Sequence, residues 1–297
     1  MMTGMTITIL FGVFGLLFGS FAGATVWRLR SRQLLQDAEA GENISAVEKK
    51  QVRFLAEKRS ISDDRSRCLQ CGHELAWYDL IPLVSWLARK GKCHYCKKHI
   101  GWFEPLIEIG VAVFFVVSWL FWPYGLDTGF EALRFMLWLA AGIGLAILFA
   151  YDAKWFLLPD RVSFTVIALG VLTALLVAWE QNFTVDIIMS IAGAVLLLSG
   201  FYLAIYILSK GAWIGFGDVK LGLGLALLLA DWQLAILAFF MANLIGTLIL
   251  LPLMLIGKVK RGSHIPFGPM LIAGWFIAGI FGHQIIGWYL SIALGVS

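Results

Sequence analysis

The sequence predicts an all-α integral membrane protein of about eight transmembrane helices, with one sizeable polar region between the first and the second. Three observations carry this. The 297 residues are 60% apolar and only 14% charged, against about 45–50% and about 25% in a soluble domain. The apolar residues gather in runs of membrane-spanning length, and the basic residues fall in alternate loops. A water-soluble enzyme, a disordered chain and a disulfide-stapled secreted domain are all excluded. Thirteen Trp and 22 Phe suit lipid-facing helices with aromatic side chains at the interface.

A hydrocarbon core of about 30 Å takes about 20 apolar residues as a helix. The candidate runs are 5–27, 106–122, 133–151, 162–179, 187–208, 221–229, 234–256 and 270–290. The sixth is short, contains glycine and ends at Asp231-Trp232. It is expected to begin inside the preceding polar stretch or to tilt. All but Arg134 of the 23 Lys and Arg lie in alternate loops. Those loops run from Arg28 to Lys98, then contain Lys154 and Arg161, Lys210 and Lys220, and Lys258, Lys260 and Arg261. The opposite loops carry Asp127, Glu131, Glu180, Asp186 and Asp231. Basic loops stay cytoplasmic, so eight spans leave both termini outside the cytoplasm. Ala22-Gly23-Ala24 could mimic a signal-peptide cleavage site. No basic residue precedes the first apolar run, however, and Arg28, Arg30 and Arg32 follow it, the reverse of a signal peptide. The run therefore reads as a first membrane anchor.

These boundaries imply three regions: a first transmembrane helix over 1–27, a cytoplasmic region over 28–104 and a seven-helix membrane domain over 105–297. Within the cytoplasmic region, Ser45-Ala46-Val47-Glu48 has capping-box form, and Ile44, Val47 and Leu55 fall near one helical face, predicting a helix over 45–59. Its charges suit a solvated face, or contact with anionic membrane lipid.

All four cysteines lie in the same region, as Cys68-x-x-Cys71 and Cys93-x-x-Cys96. Each such turn aims two thiolates at one point, and two turns complete a tetrahedral sulfur shell for structural zinc. Gly72 and Gly91 allow tight turns beside them. Four independent thiols or a redox pair are the alternatives, because a reducing cytoplasm disfavours structural disulfides. His73, His94 and His99 read as surface residues, since four sulfurs already fill the shell. The fold class is thus a membrane bundle with a cytoplasmic zinc-knuckle region between helices 1 and 2.

Ionisable groups at membrane depth mark function by default. Asp152 ends the third span, and Asp218 lies in Gly215-Phe216-Gly217-Asp218-Val219-Lys220 just before the sixth. Both stretches fall at the cytoplasmic face, so two carboxylates can meet across the bundle. Such a pair can share one proton. One carboxylate then activates water while the other polarises a peptide carbonyl. Gly215 and Gly217 would let a substrate backbone approach. The alternatives are helix caps, pairing with Lys154 or Lys220, or a cation path in an ion-coupled transporter. Transport sites usually sit near the midplane, unlike these two residues. Asp160, after Pro159, reads as a helix cap and Asp231 as a loop residue.

At this point the chain resembles the type IV prepilin peptidases, integral-membrane aspartic proteases, over nearly all its length outside 34–63. Gly19-Ser20-Phe21 with Trp27-Arg28-Leu29 resembles the first-helix motif. Ser66-Arg67-Cys68, Cys71-Gly72-His73, Trp77-Tyr78-Asp79, Ile81 to Trp86 and Gly91-Lys92-Cys93-His94-Tyr95-Cys96 resemble the zinc region. Asp152 with Leu158-Pro159-Asp160, the Gly215-to-Lys220 stretch and Ile265-Pro266-Phe267-Gly268-Pro269 resemble the two catalytic motifs and the last cytoplasmic loop. Six motifs in order are a specific signature, although a lone Gly-x-Gly-Asp is not.

The resemblance implies cleavage of class III leader peptides of type IV prepilins and pseudopilins after a Gly, on the cytoplasmic side of the bacterial inner membrane. It implies methylation of the new N-terminus with S-adenosylmethionine. Asp152 and Asp218 become the proteolytic pair, supported by Gly215, Gly217, Lys154 and Lys220, and Gly91 and Lys92 match positions linked to methyl transfer. Zinc on Cys68, Cys71, Cys93 and Cys96 is the implied structural metal, with prepilins, pseudopilins and membrane lipid as partners and no nucleic acid. Gly23 and Leu80 stand where the family usually has Asn. Neither touches the aspartates, but Leu80 shares its region with Gly91 and Lys92, leaving a peptidase without methyl transfer as the alternative.

Overall fold

A computed structural model describes residues 2–42, 44, 46–52, 55, 65–258 and 265–294. Among them the regular structure is helical, apart from isolated β-bridges at Arg67–Glu74 and Lys92–His99. The chain divides into two compact units, Met1–Val116 and Val117–Ser297.

The first unit begins with α1 (Met2–Glu39), followed by α2 (Ala46–Val52), a 3-10 turn at Trp77–Asp79, α3 (Val84–Ala88) and the start of α4 (Phe103–Phe121). Helix α1 continues well past the apolar run that predicted it. Its polar extension is held in part by Arg30, which pairs with Glu48 of α2. The helix predicted over 45–59 is seen as α2. Ser45 and residues 53, 54 and 56–59 lie outside the described residues. Glycine brings α1 and α4 into backbone contact: a Cβ on Gly15 would stand 2.5 Å from the Ala112 Cα, and one on Gly19 2.5 Å from the Glu108 Cα. Small residues at a four-residue spacing permit this approach. It buries Glu108, whose carboxylate accepts the Leu83 N–H at 2.8 Å.

The second unit contains α5 (Gly129–Trp155), α6 (Asp160–Glu180), α7 (Val185–Val195), a π-turn at Leu196–Gly200, α8 (Phe201–Ser209), α9 (Phe216–Leu229), α10 (Trp232–Leu255) and α11 (Gly268–Leu294). Helices α7 and α8 run on through the π-turn as one span. Seven helices among the described residues are long and apolar enough to cross a membrane. The eighth predicted span is α9. Its 14 residues extend only about 21 Å, and it begins in the preceding polar stretch, as its sequence suggested. Packing compensates for its length: Gly170 and Gly224 let α6 and α9 touch, since a Cβ on Gly170 would meet the Gly224 carbonyl at 3.0 Å. The fold is that of an all-helical, multi-pass membrane protein.

Helix ends are closed by side chains where the sequence offers them. Thr128 and Glu131 form a capping box on α5. Asp231 is a cap, not the loop residue expected: its carboxylate accepts the Gln233 and Leu234 N–H groups at 2.7 and 3.1 Å and starts α10. Trp138 of α5 stacks on Trp275 of α11 at 3.9 Å and donates to Ser118 Oγ at 2.9 Å.

Helices α10 and α11 meet where a Cβ on Gly274 would stand 2.4 Å from the Ala238 carbonyl oxygen. Backbone there has no room to give. Gly274→Val is expected to lower the thermal midpoint in detergent sharply. Gly287→Ala, with nothing within 4 Å, should be neutral or stabilising by about 1 kcal/mol through helix propensity. Equal midpoints for the two variants would refute the close contact.

Candidate active site and metal centre

Asp152 lies in the last turn of α5, which ends when Phe156 turns left-handed (φ 58°) and donates its N–H to the Asp152 carbonyl at 2.9 Å. Leu158 precedes a proline and leaves the helical region. The next helix starts at Asp160. The Asp152 side chain is withdrawn, its residue only 5% exposed. Its Oδ2 accepts the Gly268 N–H at 2.9 Å. Gly268 is the first residue of α11, where the N–H has no partner inside its own helix. A Cβ on Gly268 would stand 2.7 Å from this same oxygen, so glycine is what lets the N–H come so near.

Asp218 occupies the third position of α9, and its Oδ2 accepts the Gly215 N–H at 3.3 Å. This is the return half of a capping box. Each carboxylate thus uses one oxygen to hold the start of a helix, where the helix dipole favours negative charge. A Cβ on Gly268 would also meet the Leu221 side chain of α9 at 3.5 Å, one turn beyond Asp218, so the starts of α9 and α11 converge on the end of α5. Asp218 acts electrostatically on Asp152, 66 positions away in sequence. Among the described residues the Oδ1 atoms make no hydrogen bond.

The other predicted site residues are arranged differently. Lys220 pairs with Asp160, joining the start of α6 to α9, and lies 5.5 Å over the Phe216 ring. Asp160 is therefore not the cap of α6. Pro159 holds that position, and the Asp160 carboxylate is engaged by the lysine. Lys154 lies 5.1 Å over the Trp155 ring. A Cβ on Gly217 would meet the Leu158 side chain at 3.1 Å, so the missing side chain there makes room for Leu158. Gly215 is exposed and has ordinary space around it.

In the first unit the four cysteine sulfurs lie within 4.8 Å of one another. A zinc–sulfur bond of about 2.3 Å implies tetrahedral sulfur separations of about 3.8 Å, so closure about a metal needs only small movements. The two knuckles are alike. Cys68 N–H bonds the His73 carbonyl and Cys93 N–H the Lys98 carbonyl, at 3.0 and 2.9 Å. Gly72 and Lys97, each just after the second cysteine, turn left-handed at φ 75° and 60°. Burial pushes the Cys68 thiol up to about 12, a sulfur that needs a cation to become a thiolate. The His73 and His94 rings pack at a tilt against Tyr95, with centroids 3.6 and 5.0 Å away. Asp79 braces the loop by accepting from Arg89, the Ala76 N–H and Tyr95 Oη. Burial alone would raise its carboxyl, but these donors outweigh it and hold the group below its ordinary value.

Gly91 takes φ 69°, and a Cβ there would meet the Trp86 indole at 3.0 Å. This glycine therefore shapes the turn against Trp86. Lys92 beside it is exposed.

Two family models match the chain: the Bacterial Peptidase A24 N-terminal domain over residues 13–122 and the Type IV leader peptidase family over residues 139–251. A protein of Pseudomonas aeruginosa called prepilin leader peptidase/N-methyltransferase is 34% identical over 288 residues, 94% of this chain and 92% of that protein. The chain belongs to the type IV leader peptidase family. Proteins with the same name from Dichelobacter nodosus and Bacillus subtilis are each 31% identical, covering 94% and 80% of this chain and 94% and 89% of their own lengths. No solved structure matches. This family member is an enzyme, as its sequence led us to expect.

The sequence reading missed the part played by Gly268. A glycine followed by Pro269 and an apolar run is a helix-start signal, but nothing local says which acid will accept its N–H. Gly268→Ala is expected to push Asp152 aside and cut peptidase turnover by about 100-fold, with helical circular dichroism retained. Unchanged turnover would show that Asp152 does not depend on this contact.

Proposed function

We propose that the enzyme is an aspartic peptidase that cleaves class III leader peptides of type IV prepilins and pseudopilins after Gly, with Asp152 and Asp218 as its catalytic pair. One observation carries the reading: each acid has one oxygen held by a glycine N–H and the other unengaged, and the two feel each other's charge. Two like charges so placed favour a singly protonated pair. The ionised carboxylate takes a proton from water, whose oxygen attacks the scissile carbonyl carbon. The protonated carboxyl donates to the carbonyl oxygen as its π electrons move there. As the C–N bond breaks, the nitrogen takes up a proton from the acid pair and leaves as the new amine, and the diol returns its extra proton to the pair as it becomes the new carboxyl group. The names of the relatives support the substrate class. The clustering of Lys and Arg in alternate loops supports an inner-membrane protein with both termini outside the cytoplasm and the acids at the cytoplasmic face.

The same names support N-methylation of the new N-terminus. S-adenosylmethionine would supply the methyl group from its sulfonium. On this chain Lys92, exposed beside the turn that Gly91 shapes, is suited to hold the carboxylate of that cofactor. Cys68, Cys71, Cys93 and Cys96 would hold one structural zinc, which neutralises thiolates and keeps the knuckles closed.

Asp152→Asn and Asp218→Asn should each abolish cleavage of a purified prepilin in detergent while leaving the chain folded. Near-normal turnover in either would sink the catalytic pair. With S-adenosylmethionine added, mass spectrometry of the trimmed pilin should show a methylated N-terminus from the native enzyme and an unmodified one from Lys92→Ala.

For the metal, elemental analysis is expected to find one zinc per chain. Changing Cys68 and Cys71 to Ser should remove it and make residues 66–100 sensitive to protease. A zinc-free native protein with a protease-resistant loop would refute the site.

A further inference from the structure

Tyr202 is the one tyrosine among the described residues whose hydroxyl is buried without a hydrogen bond. The residue is 2% exposed. Asn243 of α10 gives its Nδ2 to the Phe239 carbonyl at 2.8 Å and acts on the phenol only as a donor toward its oxygen, so the hydroxyl proton has no acceptor. A buried hydroxyl left unpaired costs about 1–3 kcal/mol, and such a group in a native fold calls for an explanation. Its position supplies one. Tyr202 lies within the electrostatic reach of Asp218. Its ring packs edge-on against Phe267 at 5.5 Å, the residue just before the Gly268 whose N–H holds Asp152. Phe239 flanks the ring at 6.0 Å.

The backbone beneath Tyr202 is specialised for this placement. The residue follows the π-turn at Leu196–Gly200, a feature that recurs at functional sites because it resets the register of the side chains after it. That turn is fastened to α9 beside Asp218. Ser199 Oγ donates to the Val219 carbonyl at 3.1 Å, and a Cβ on Gly222 would stand 2.3 Å from the Leu198 carbonyl oxygen. The phenol is therefore held, its proton unspent, between the loop whose Gly268 N–H holds Asp152 and the helix that carries Asp218.

We propose that Tyr202 is a third catalytic group, whose hydroxyl donates a hydrogen bond to the scissile carbonyl oxygen of the peptide substrate. This rests on the reading of Asp152 and Asp218 as the proteolytic pair. The phenol keeps its proton throughout. Water adds to the carbonyl carbon, the π electrons pass to oxygen, and the hydroxyl stabilises that developing negative charge alongside the protonated carboxyl. A fixed donor that needs no reorganisation is the kind that acts more strongly on the transition state than on bound substrate.

The test is Tyr202→Phe in the full-length enzyme, with a purified prepilin bearing Gly before the cleaved bond. The variant keeps the ring contacts and removes only the hydroxyl. A fall in kcat of about 100-fold with KM little changed, and a thermal midpoint equal to or above that of the native enzyme, is the expected result. A structural hydroxyl would lower the midpoint instead. Unchanged kcat overturns the proposal, and so does a parallel loss of kcat and thermal stability. Asp218→Asn, assayed beside it, separates the two levels. An inert Asp218→Asn with a fully active Tyr202→Phe rejects the tyrosine and leaves the catalytic pair intact. An active Asp218→Asn rejects the pair, and the role of Tyr202 with it.

Discussion

A single hydrogen bond organises the second unit: the Gly268 N–H donating to Asp152 Oδ2 across 116 residues of chain. It solves two problems together. The first N–H of α11 has no partner within its own helix, and a carboxylate withdrawn from water must be given donors. Each group supplies what the other lacks. Asp218 repeats the device within its own helix through the Gly215 N–H. The two acids are therefore structural caps as well as the pair proposed to react. Capping, the plain explanation for an aspartate at a helix end, proves to be the means by which the acids are oriented. It occupies one oxygen and leaves the other open.

Close helix contacts make this arrangement possible. In the second unit, Gly222 lies against the π-turn and Gly170 and Gly224 join α6 to α9. Without side chains at these points the short α9 can sit deep among longer helices, with its first turn at the acids. In the other unit Gly15 and Gly19 bring α1 onto α4 in the same way, and the buried Glu108 that results is met by the Leu83 N–H. The cysteine loop is different in kind. Few of its side chains are buried, and order comes from two matched turns, the Asp79 network and four converging sulfurs.

Several residues stand in surroundings that the sequence did not suggest, each for a local reason. Asp160 follows a proline at a helix start, which is a capping signature, yet Pro159 takes the cap position and Lys220 takes the carboxylate. Gly217 lies beside an acid and reads as open space, but Leu158 fills it from another element. Gly91 likewise faces Trp86. Asp231 reads as a loop residue because caps and loops share the same residue types. Tyr202 left no signal at all, since one tyrosine in an apolar span looks like any other aromatic side chain facing lipid or core.

By itself the sequence determined the order of the apolar helices, the pairing of the cysteines into two knuckles and the presence of an acid at the end of α5 and at the start of α9. Each of these follows from a pattern that is local or periodic along the chain: apolar runs of fixed length, Cys-x-x-Cys spacing, a charge at the end of a span. Tertiary structure alone decided which N–H each acid would hold, which lysine would pair with which aspartate, where glycine would meet backbone and where a phenol would be left unbonded. Those outcomes depend on how helices far apart in sequence cross one another, and on contacts decided by a few tenths of an ångström. No one-dimensional pattern carries that information.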